Sequence, residues 1–432
     1  MKRSYAKSLL IKNCLLVDGE AERGLSDILI LDGTIAEIAP AGCIADVPAI
    51  EVFDACGNYA APAFIDIHTH LRDPGFTYKE DIGTGTAAAA AGGYGTVVPM
   101  PNTSPVTDNP ETLKYVLDTA REKGSARVLP VAAITRGLKS EELTDMRTLK
   151  GLGAIAFSDD GRPVTEYSLM ESAMRIAAAN DLLIISHSEE LSHTGKGVIN
   201  EGETARSLGV PGIPNSSEDE AVRREIEIAE KTGAHLHVAH VSTAESARMI
   251  REAKEKGLTV TGETCPHYFI FCDEDVKTLG ANGKMKPPLR SASDREAIKR
   301  AVADGTLDCI STDHAPHAAE EKADLISSAF GITGLQTVFA ASYTTFVDSG
   351  LMTLPQLIDR MSTAPAKRFG LDVPEIKVGS MANLCIWDLD AVQEINKDFF
   401  LSMGKATPFL GWTVMGKCLE TICDGKTVYE AK

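Results

Sequence analysis

The chain has no pair of cysteines spaced as CxxC, although it contains nine cysteines in 432 residues. Thiolate zinc sites depend on such close pairs, and disulfide frameworks normally use an even number of cysteines. The wide separation of the cysteines, from Cys14 to Cys423, argues against a thiolate zinc site and against a disulfide framework. It predicts reduced thiols and a cytoplasmic protein.

Long hydrophobic runs and an excess of positive charge are also missing. No stretch approaches the roughly 18 apolar residues of a membrane span, and Lys12 and Asn13 interrupt the apolar N-terminal segment, which therefore predicts a first strand rather than a signal peptide. The formal net charge of -18 would repel nucleic-acid phosphates and acidic lipid surfaces. We therefore expect a small-molecule substrate, and an anionic one would need local attraction from metal ions or a few arginines.

Strand patterns occur at both ends of the chain, and the sequence between them has a different pattern. ILILDGTIAEI places Asp32-Gly33 between two alternating hydrophobic runs, which is a strong hairpin signal. NLCIWDLD, TVMGKCLETI and GKTVYE return to the same pattern near the C-terminus. A chain of this length could hold two or three average domains. We predict one small β domain assembled from residues 1–57 and 371–432, with a larger unit spanning residues 58–370.

The middle alternates strand-like runs with helical stretches. The eight runs are AFIDIHTH, GTVVPMPNT, RVLPVAAIT, AIAFSDD, LLIISHSEE, HLHVAHVST, LTVTGETCPH and LDCISTDHAPH. Two of the helices carry apparent capping boxes, at Ser217 with Glu220 and at Ser293 with Glu296. Eight strand-helix units favour an α/β protein with a closed (β/α)8 TIM barrel. An open doubly wound sheet is disfavoured because no glycine-rich nucleotide fingerprint follows the first strand.

Histidine and aspartate collect at the ends of these strands. The chain has only ten histidines, and eight lie in the strand-end clusters. His68 and His70, in FIDIHTHLR, stand one residue apart on a strand, so their side chains share one face. Residues of the same ligand types end four further strands: Asp159 and Asp160 on the fourth, His187 on the fifth, His240 on the sixth and Asp313 on the eighth. In a barrel, all of these would face one active-site mouth.

Four histidines and two aspartates suit a binuclear zinc site. Zinc accepts imidazole and carboxylate ligands together, and a carboxylate can bridge two ions where a neutral imidazole cannot. A zinc-activated water would attack a carbonyl carbon while a nearby carboxylate moved protons. The residues therefore predict hydrolytic chemistry at a carbonyl group.

The motifs HTHLRDPG, PMPNT, FSDDG, SHSEE, HVAHVST, ETCPHY, KMKPPLR, STDHAPH and FGITGLQT, in this order, resemble those of bacterial class I dihydroorotases in the amidohydrolase superfamily. The resemblance covers essentially the whole chain, including TPFLGW and GKTVYE. It implies reversible ring closure of N-carbamoyl-L-aspartate to L-dihydroorotate in de novo pyrimidine (UMP) synthesis. It further implies two zinc ions per subunit, the second site partly occupied, a homodimer, and aspartate transcarbamoylase as a partner.

The resemblance also assigns the zinc ligands. The two sets are His68, His70, Asp160 and Asp313 for one ion, and Asp160, His187 and His240 for the other. Many relatives in the superfamily bridge their metals with a carboxylated lysine, whereas here Asp160 of SDDG takes that place. Asp159, one residue earlier, should point away. Asp313 is the expected catalytic residue, which takes a proton from the attacking water and delivers it to the departing nitrogen.

A separate group of residues is expected to bind the substrate. The guanidinium of Arg72 suits bidentate binding of a carboxylate. The other positions that the resemblance places at the substrate are His70, Asn102, Lys286, His317, Phe330 and Gly331. AAEEKADLISSA, between His317 and Phe330, is polar and lacks strand character, so it predicts a loop over the site.

Two positions depart from the family pattern. Lys286 stands before PPLR where asparagine is usual, and Gln336 stands in GLQT where glutamate is usual. Lysine only donates hydrogen bonds, so a contact that needs an amide acceptor would be lost. One alternative is therefore a related cyclic amidohydrolase acting on a hydantoin or on allantoin, although SDDG and STDHAPH argue against it. Another is an inactive scaffold subunit of aspartate transcarbamoylase, which the complete ligand set disfavours.

Overall fold

A sheet of eight strands joins the two ends of the chain in the computed structural model, which describes residues 8–46, 48 and 50–431. Residues 1–7, the start of the predicted N-terminal range, lie outside the described residues. The strands of this terminal sheet are Leu9–Val17, Glu22–Leu31, Thr34–Pro40, Glu51–Asp54, Tyr59–Pro62, Leu384–Glu394, Thr413–Cys423 and Lys426–Glu430.

The hairpin predicted at Asp32-Gly33 is confirmed. The flanking strands pair in antiparallel fashion, with Leu31 opposite Thr34. Asp32 and Gly33 have φ angles of 46° and 81°, the left-handed backbone that a two-residue I′ turn requires at both central positions. Glycine and aspartate adopt this conformation more readily than other residues.

The strand Tyr59–Pro62 connects the two halves of the terminal sheet. It runs parallel to Leu9–Val17 and antiparallel to Leu384–Glu394. This strand falls inside the range 58–370 that the sequence predicts for the larger unit. Its short YAAP sequence has no hydrophobic alternation to mark it as part of the β domain, so the terminal sheet extends further along the chain than the sequence indicates.

Parallel strands fill seven of the eight predicted runs. They are Phe64–Thr69, Tyr94–Pro99, Arg127–Val128, Leu183–Ser186, His235–Val238, Val260–Thr264 and Cys309–Ile310. The fourth run contributes only bridges from Phe157, to Ala132 on one side and Ile184 on the other. The parallel pairings pass from each run to the next, and a bridge between Thr69 and His314 joins the last run to the first. A shorter parallel pair, Ile199–Asn200 with Gly212–Ile213, lies outside this series.

Helices lie between these strands and after the last of them. The longer ones are Ile82–Ala91, Pro110–Lys123, Met146–Leu152, Tyr167–Ala179, Ser216–Thr232, Ala244–Glu255 and Ala292–Ala303. Shorter helices are Leu191–Thr194, Glu203–Leu208, Pro266–Ile270, Val276–Leu279, Val338–Ser342, Leu354–Ile358 and Ala364–Arg368, with π-helical stretches at Tyr343–Asp348 and Asp359–Thr363. Across the described part of the chain, every helix is too short or too polar to cross a bilayer.

Both predicted capping boxes are wrong in position. Helix Ser216–Thr232 begins before Ser217, whose hydroxyl donates to a loop carbonyl instead of capping the helix. In the second case Ser291, not Ser293, caps the helix by accepting a hydrogen bond from Asp294 N. RSASD offers two serines, each followed three residues later by an acid, so the pattern alone did not distinguish them.

The segment of residues 399–405 packs against residues 333–336, which follow the last parallel strand. Gln336 Nε2 donates to Phe399 O (2.9 Å), and Leu401 N donates to Gln336 Oε1 (2.6 Å). Thr333 Oγ1 also donates to Gly404 O (3.0 Å). An amide side chain both donates and accepts, whereas a carboxylate only accepts. Glutamine at position 336 therefore suits both the acceptor, Phe399 O, and the donor, Leu401 N, that this segment presents.

Replacing Gln336 by glutamate should lower the free energy of unfolding by about 1–3 kcal/mol, because the half-buried Phe399 carbonyl would lose its donor. Urea denaturation measures this change. Gln356→Glu is the matched control, since Gln356 uses its side-chain oxygen to accept from Thr353 N, a role that glutamate retains. Equal stability of the two variants would contradict the account of Gln336.

Candidate active site

The predicted ligand residues converge on the carboxylate of Asp160. Its Oδ1 lies 3.3 Å from His68 Nε2, 3.4 Å from His187 Nδ1 and 3.7 Å from His240 Nε2. Its Oδ2 lies 3.5 Å from His70 Nε2. All five side chains are buried. They form two groups with the spacing of metal ligands, which share Asp160: His68, His70 and Asp160, and Asp160, His187 and His240.

Several atoms of this cluster are buried without a hydrogen bond among the described residues. They are His68 Nε2, Asp160 Oδ1 and His240 Nδ1. Buried polar atoms are normally paired, because desolvation without a partner costs free energy. Imidazole nitrogen and carboxylate oxygen within reach of one another fit a metal ion that accepts both atom types. The donor set therefore fits a metal centre.

Asp313 extends the first of these groups. Its Oδ1 lies 3.2 Å from His70 Nε2 and 3.7 Å from His68 Nε2. Burial alone would raise the pKa of Asp313, but the hydrogen bond from His70 and the charge of His68 outweigh it and lower the pKa to about 2. The carboxylate is therefore ionised at neutral pH and can accept a proton.

Asp159 points away from the cluster, as the register of the fourth run predicts. Its Oδ1 accepts hydrogen bonds from Ile134 N (2.8 Å) and Thr135 N (3.0 Å), and its Oδ2 accepts from the Thr135 hydroxyl. Burial raises the pKa of Asp159 to about 6, although these hydrogen bonds oppose the rise. This carboxylate holds the neighbouring loop.

Three residues of the site have left-handed backbone conformations. The φ angles are 61° for Arg72, 35° for His240 and 44° for Asp313. Such angles are uncommon outside glycine and concentrate where the surrounding structure holds functional groups in place. The sequence carries no signal for them, because none of these positions is a glycine.

A cavity of about 250 Å³ opens onto the cluster. Six of the predicted substrate-binding residues line it: His70, Arg72, Asn102, Lys286, Phe330 and Gly331. Asn102 is also tied to the ligand residues, since its Oδ1 accepts from His70 Nδ1 (2.9 Å) and its Nδ2 donates to Asp160 Oδ2 (3.3 Å). The cavity therefore has the ligand cluster on one side and a cation, Arg72, in its wall.

The Arg72 guanidinium has no carboxylate within ion-pair distance among the described residues. Its Nε donates to Pro316 O (3.3 Å), and its Nη2 lies 3.3 Å from His317 Nε2. Since half-buried cations are usually paired, an unpaired guanidinium in a cavity wall suits an anionic ligand.

His317 lies behind Arg72 as a neutral imidazole. Burial, reinforced by Arg72 and Lys79, lowers the pKa of His317 to about 3. A neutral ring can donate from Nε2 to Phe330 O (2.8 Å) and accept at Nδ1 from Lys79 Nζ (3.3 Å). Lys79 is also bound to Glu321 Oε1 (3.1 Å). The sequence analysis did not identify Lys79, which lies seven residues beyond Arg72 in a segment without a strand or helix pattern.

Comparisons with known proteins agree with the motifs. A family model described as dihydro-orotase-like matches residues 57–246. The dihydroorotase of Geobacter metallireducens is 45% identical over 430 residues, covering 98% of this chain and 100% of that protein. The dihydroorotase of Anoxybacillus flavithermus is 44% identical over 425 residues, covering 98% of each chain. The chain belongs to the dihydroorotase family.

Solved structures of related amidohydrolases share the fold. The L-hydantoinase (dihydropyrimidinase) of Arthrobacter aurescens matches with a TM-score of 0.87 at 26% identity, covering 98% of this chain and 96% of that chain. The dihydropyrimidinase of Brevibacillus agri matches with a TM-score of 0.82 at 24% identity, covering 98% and 95%. These likenesses support an α/β amidohydrolase fold, while the higher sequence identities place the chain among dihydroorotases.

Lys286, which departs from the usual sequence of the dihydroorotase family, is paired within the cavity wall. Its Nζ lies 2.8 Å from Glu189 Oε2 and 5.5 Å from the centre of the Phe330 ring. Glu189 Oε2 is also 3.6 Å from His187 Nε2. Lys286 therefore neutralises a carboxylate next to the ligand cluster, in addition to facing the cavity.

Glu263 supports the cluster, although the sequence analysis did not identify it. Its Oε1 lies 2.7 Å from His68 Nδ1, and its Oε2 lies 3.5 Å from His237 Nε2. Burial would raise the pKa of Glu263, but His68 and His237 lower it well below its usual range. A carboxylate on the far nitrogen of a metal-binding imidazole fixes the ring and increases its basicity. The available signal was the position of Glu263 at the end of the seventh run.

Replacing Glu263 by glutamine should weaken metal binding by about 10–100-fold, because the amide keeps the shape of the side chain but loses its charge. The rate at which a coloured chelator removes the metal measures this effect without reference to activity. Glu420→Gln is the control, since Glu420 is a buried carboxylate of the terminal sheet. Equal metal release from the two variants would show that Glu263 does not support the site.

Proposed function

We propose that this protein is a dihydroorotase, which interconverts N-carbamoyl-L-aspartate and L-dihydroorotate in pyrimidine biosynthesis. The observation that carries the proposal is the unpaired Arg72 guanidinium in the wall of a cavity that opens onto the His/Asp cluster. A carboxylate anchor beside a hydrolytic centre suits a cyclic amide that bears a carboxylate. Identities of 44% and 45% to dihydroorotases over 98% of the chain support the same substrate.

We also propose that the parallel strands close into a (β/α)8 barrel, which spans residues 58–370 apart from the strand Tyr59–Pro62. The continuous series of parallel pairings and the bridge from Thr69 to His314 support closure. In such a barrel the carboxyl ends of the strands share one mouth. This arrangement accounts for ligand residues that are far apart in sequence but lie close together.

The proposed cofactor is zinc, two ions per subunit with the second site partly occupied. His68, His70, Asp160 and Asp313 would hold one ion, and Asp160, His187 and His240 the other. The unpaired buried atoms His68 Nε2 and Asp160 Oδ1, which lie 3.3 Å apart, support this assignment. When bound, zinc ions would polarise the amide carbonyl and make water a nucleophile near neutral pH.

The residues of the chain would then bind the substrate and move one proton. Arg72, with Asn102 and His317, would hold the substrate carboxylate, and the Phe330–Gly331 backbone would contact the ring. In the hydrolytic direction Asp313 would accept a proton from the attacking water and deliver it to the ring nitrogen as the carbon-nitrogen bond breaks. Water supplies two protons. Asp313 moves one of them to the departing ureido nitrogen, and the new carboxyl group releases the other to solvent as it ionises, so atoms and charge balance. Cyclisation follows the same steps in reverse.

Hydantoinase activity is the second candidate, because the hydantoinase of Arthrobacter aurescens has the same fold and Lys286 departs from the dihydroorotase pattern. Initial rates with L-dihydroorotate, hydantoin, dihydrouracil and allantoin, followed by ultraviolet absorbance, separate the two. We expect kcat/KM to be highest for L-dihydroorotate. A higher value for an uncharged ring would contradict the proposal.

Replacing Lys286 by asparagine should raise KM for L-dihydroorotate by about three- to tenfold, because Glu189 would lose its lysine partner beside an anionic substrate. The double variant Lys286→Asn/Glu189→Gln should recover most of the affinity, since it removes both charges. Initial rates across a range of substrate concentrations measure both effects. If KM stayed unchanged in the single variant, Lys286 would be peripheral to binding.

We further propose a cytoplasmic homodimer that can associate with aspartate transcarbamoylase. Nine free cysteines support a reducing compartment, and the dimer and the partner follow by analogy with the family. Light scattering of the purified protein, alone and mixed with aspartate transcarbamoylase, tests both associations. A monomer that does not change in the mixture would contradict them.

A further inference from the structure

Lys322 is a buried lysine whose ammonium group contacts only backbone oxygens. The residue as a whole is 8% exposed. Its Nζ donates to the carbonyl oxygens of Lys284, Ala329 and Gly331, each at 3.0 Å. Among the described residues no carboxylate lies within ion-pair distance of it. Lysine is rarely buried without a carboxylate partner, so this arrangement calls for a specific explanation.

The three carbonyls belong to two segments that are far apart in sequence. Residues 284–286 and 329–331 approach each other where Gly331 N donates to Lys284 O (3.1 Å). Lys286 on one segment and Phe330 and Gly331 on the other line the cavity. Lys322 therefore joins two parts of the cavity wall, and it does so from within the predicted loop of residues 318–329.

The number of donors matches the number of acceptors. A protonated amine has three N–H bonds, one for each carbonyl, whereas a neutral amine has only two. Burial, reinforced by Lys284, lowers the pKa of Lys322 to about 7. The three carbonyl dipoles are the groups around this amine that favour its proton.

Two further observations show that the backbone of this wall has little room to move. Lys284 Nζ donates to Ile326 O (2.7 Å) and lies 4.7 Å from the centre of the Phe330 ring. A Cβ atom at Gly331, where φ is 128°, would lie only 2.7 Å from Ala315 O. A shift of this backbone therefore has to move the neighbouring residues too.

We propose that Lys322 is a positioning residue, which fixes the loop of residues 318–329 against residues 284–286 and so sets the Phe330–Gly331 wall at the substrate ring. The role at the ring rests on the proposed function. The attachment of one segment to the other does not rest on the proposed function, because it is a property of the protein without substrate. The two parts can therefore be tested separately.

Lys322→Met is the test variant, since methionine fills similar space without donors. Lys114→Met is the matched control, because Lys114 lies on the exposed face of helix Pro110–Lys123, with a side chain that is 75% exposed. Hydrogen exchange followed by mass spectrometry measures how firmly Lys322 holds the two segments together in the substrate-free protein. In Lys322→Met, we expect exchange of the Ala329 and Gly331 amides to accelerate at least about tenfold. Unchanged exchange would overturn the proposal.

Kinetics test the consequence for the substrate. In Lys322→Met, KM for L-dihydroorotate should rise by about tenfold or more, with a much smaller change in kcat, because the ligand cluster is not displaced. A fall in kcat at constant KM would overturn the role at the ring. If the unaltered protein did not hydrolyse L-dihydroorotate, the proposed function would be contradicted. Hydrogen exchange would still show whether Lys322 holds the two segments together.

Chemical rescue gives a second route that does not depend on Lys322→Met folding. Lys322→Ala leaves space for a small cation, so added ethylammonium should restore slow exchange of the Gly331 amide. The uncharged ethanol should not do so. Restoration by ethylammonium alone supports the proposal, and equal effects of the two additives contradict it.

Discussion

Replacing Asp313 by alanine is expected to lower kcat for L-dihydroorotate hydrolysis by about 10²–10⁴-fold, the usual contribution of general acid-base catalysis. The side chain lies 3.2 Å from His70 Nε2, within the cluster that opens onto the cavity. Among the described residues that line the cavity, the other carboxylate is Asp160, which lies among the four histidines and is the proposed bridge between the two metal sites. The metal should be largely retained, because His68, His70 and Asp160 remain.

Steady-state rates and metal content of the same preparation test this prediction. Asp159→Asn is the control, because Asp159 is a neighbouring buried carboxylate that holds Thr135 instead of facing the cluster. The control should keep most of its kcat once it is shown to be folded. Substantial turnover by Asp313→Ala would exclude the proton-transfer role, and loss of turnover by the control alone would place the fourth run one residue out of register.

Replacing Arg72 by methionine is expected to raise KM for L-dihydroorotate and N-carbamoyl-L-aspartate by about 10²-fold, the loss of a bidentate charge-assisted contact. Methionine keeps much of the apolar stem, so the cavity should hold its shape. The effect on kcat should be smaller, because Arg72 does not belong to the ligand cluster. Relative to these acids, neutral rings such as hydantoin should become better substrates.

Competition between L-dihydroorotate and hydantoin measures that change in preference directly. Arg121→Met is a suitable control, since Arg121 is an exposed helix residue that pairs with Asp118 at 2.8 Å. An unchanged ratio of kcat/KM for acid and neutral rings in Arg72→Met would show that the carboxylate is anchored elsewhere.

The ligand cluster could be predicted because it follows from simple periodicity. Alternation along a strand places His68 and His70 on one face, and parallel strands bring their carboxyl ends together. The same alternation puts Asp159 and Asp160 on opposite faces, and their side chains do point in different directions. The family resemblance indicated which of the two belongs to the cluster. These inferences need only local geometry and the order of the strands.

The contacts of the supporting residues could not be predicted in this way. Glu263 contacts His68 across 195 positions of sequence, and Lys322 reaches Lys284 across 38. Such contacts depend on which loops lie beside each other, and periodicity carries no information about that. The strand Tyr59–Pro62 was missed for a different reason, since a short run of small residues has too little pattern to identify its sheet.

Metal analysis coupled to activity tests the central claim most directly. Zinc in the purified protein would be measured by elemental analysis, and L-dihydroorotate hydrolysis would be followed before and after removal of the metal by a chelator. We predict up to two zinc ions per chain, with turnover that is lost on chelation and restored by zinc. Zinc without turnover on L-dihydroorotate would contradict the proposed substrate, and a protein with neither zinc nor turnover would contradict the proposed enzyme and favour a scaffold role.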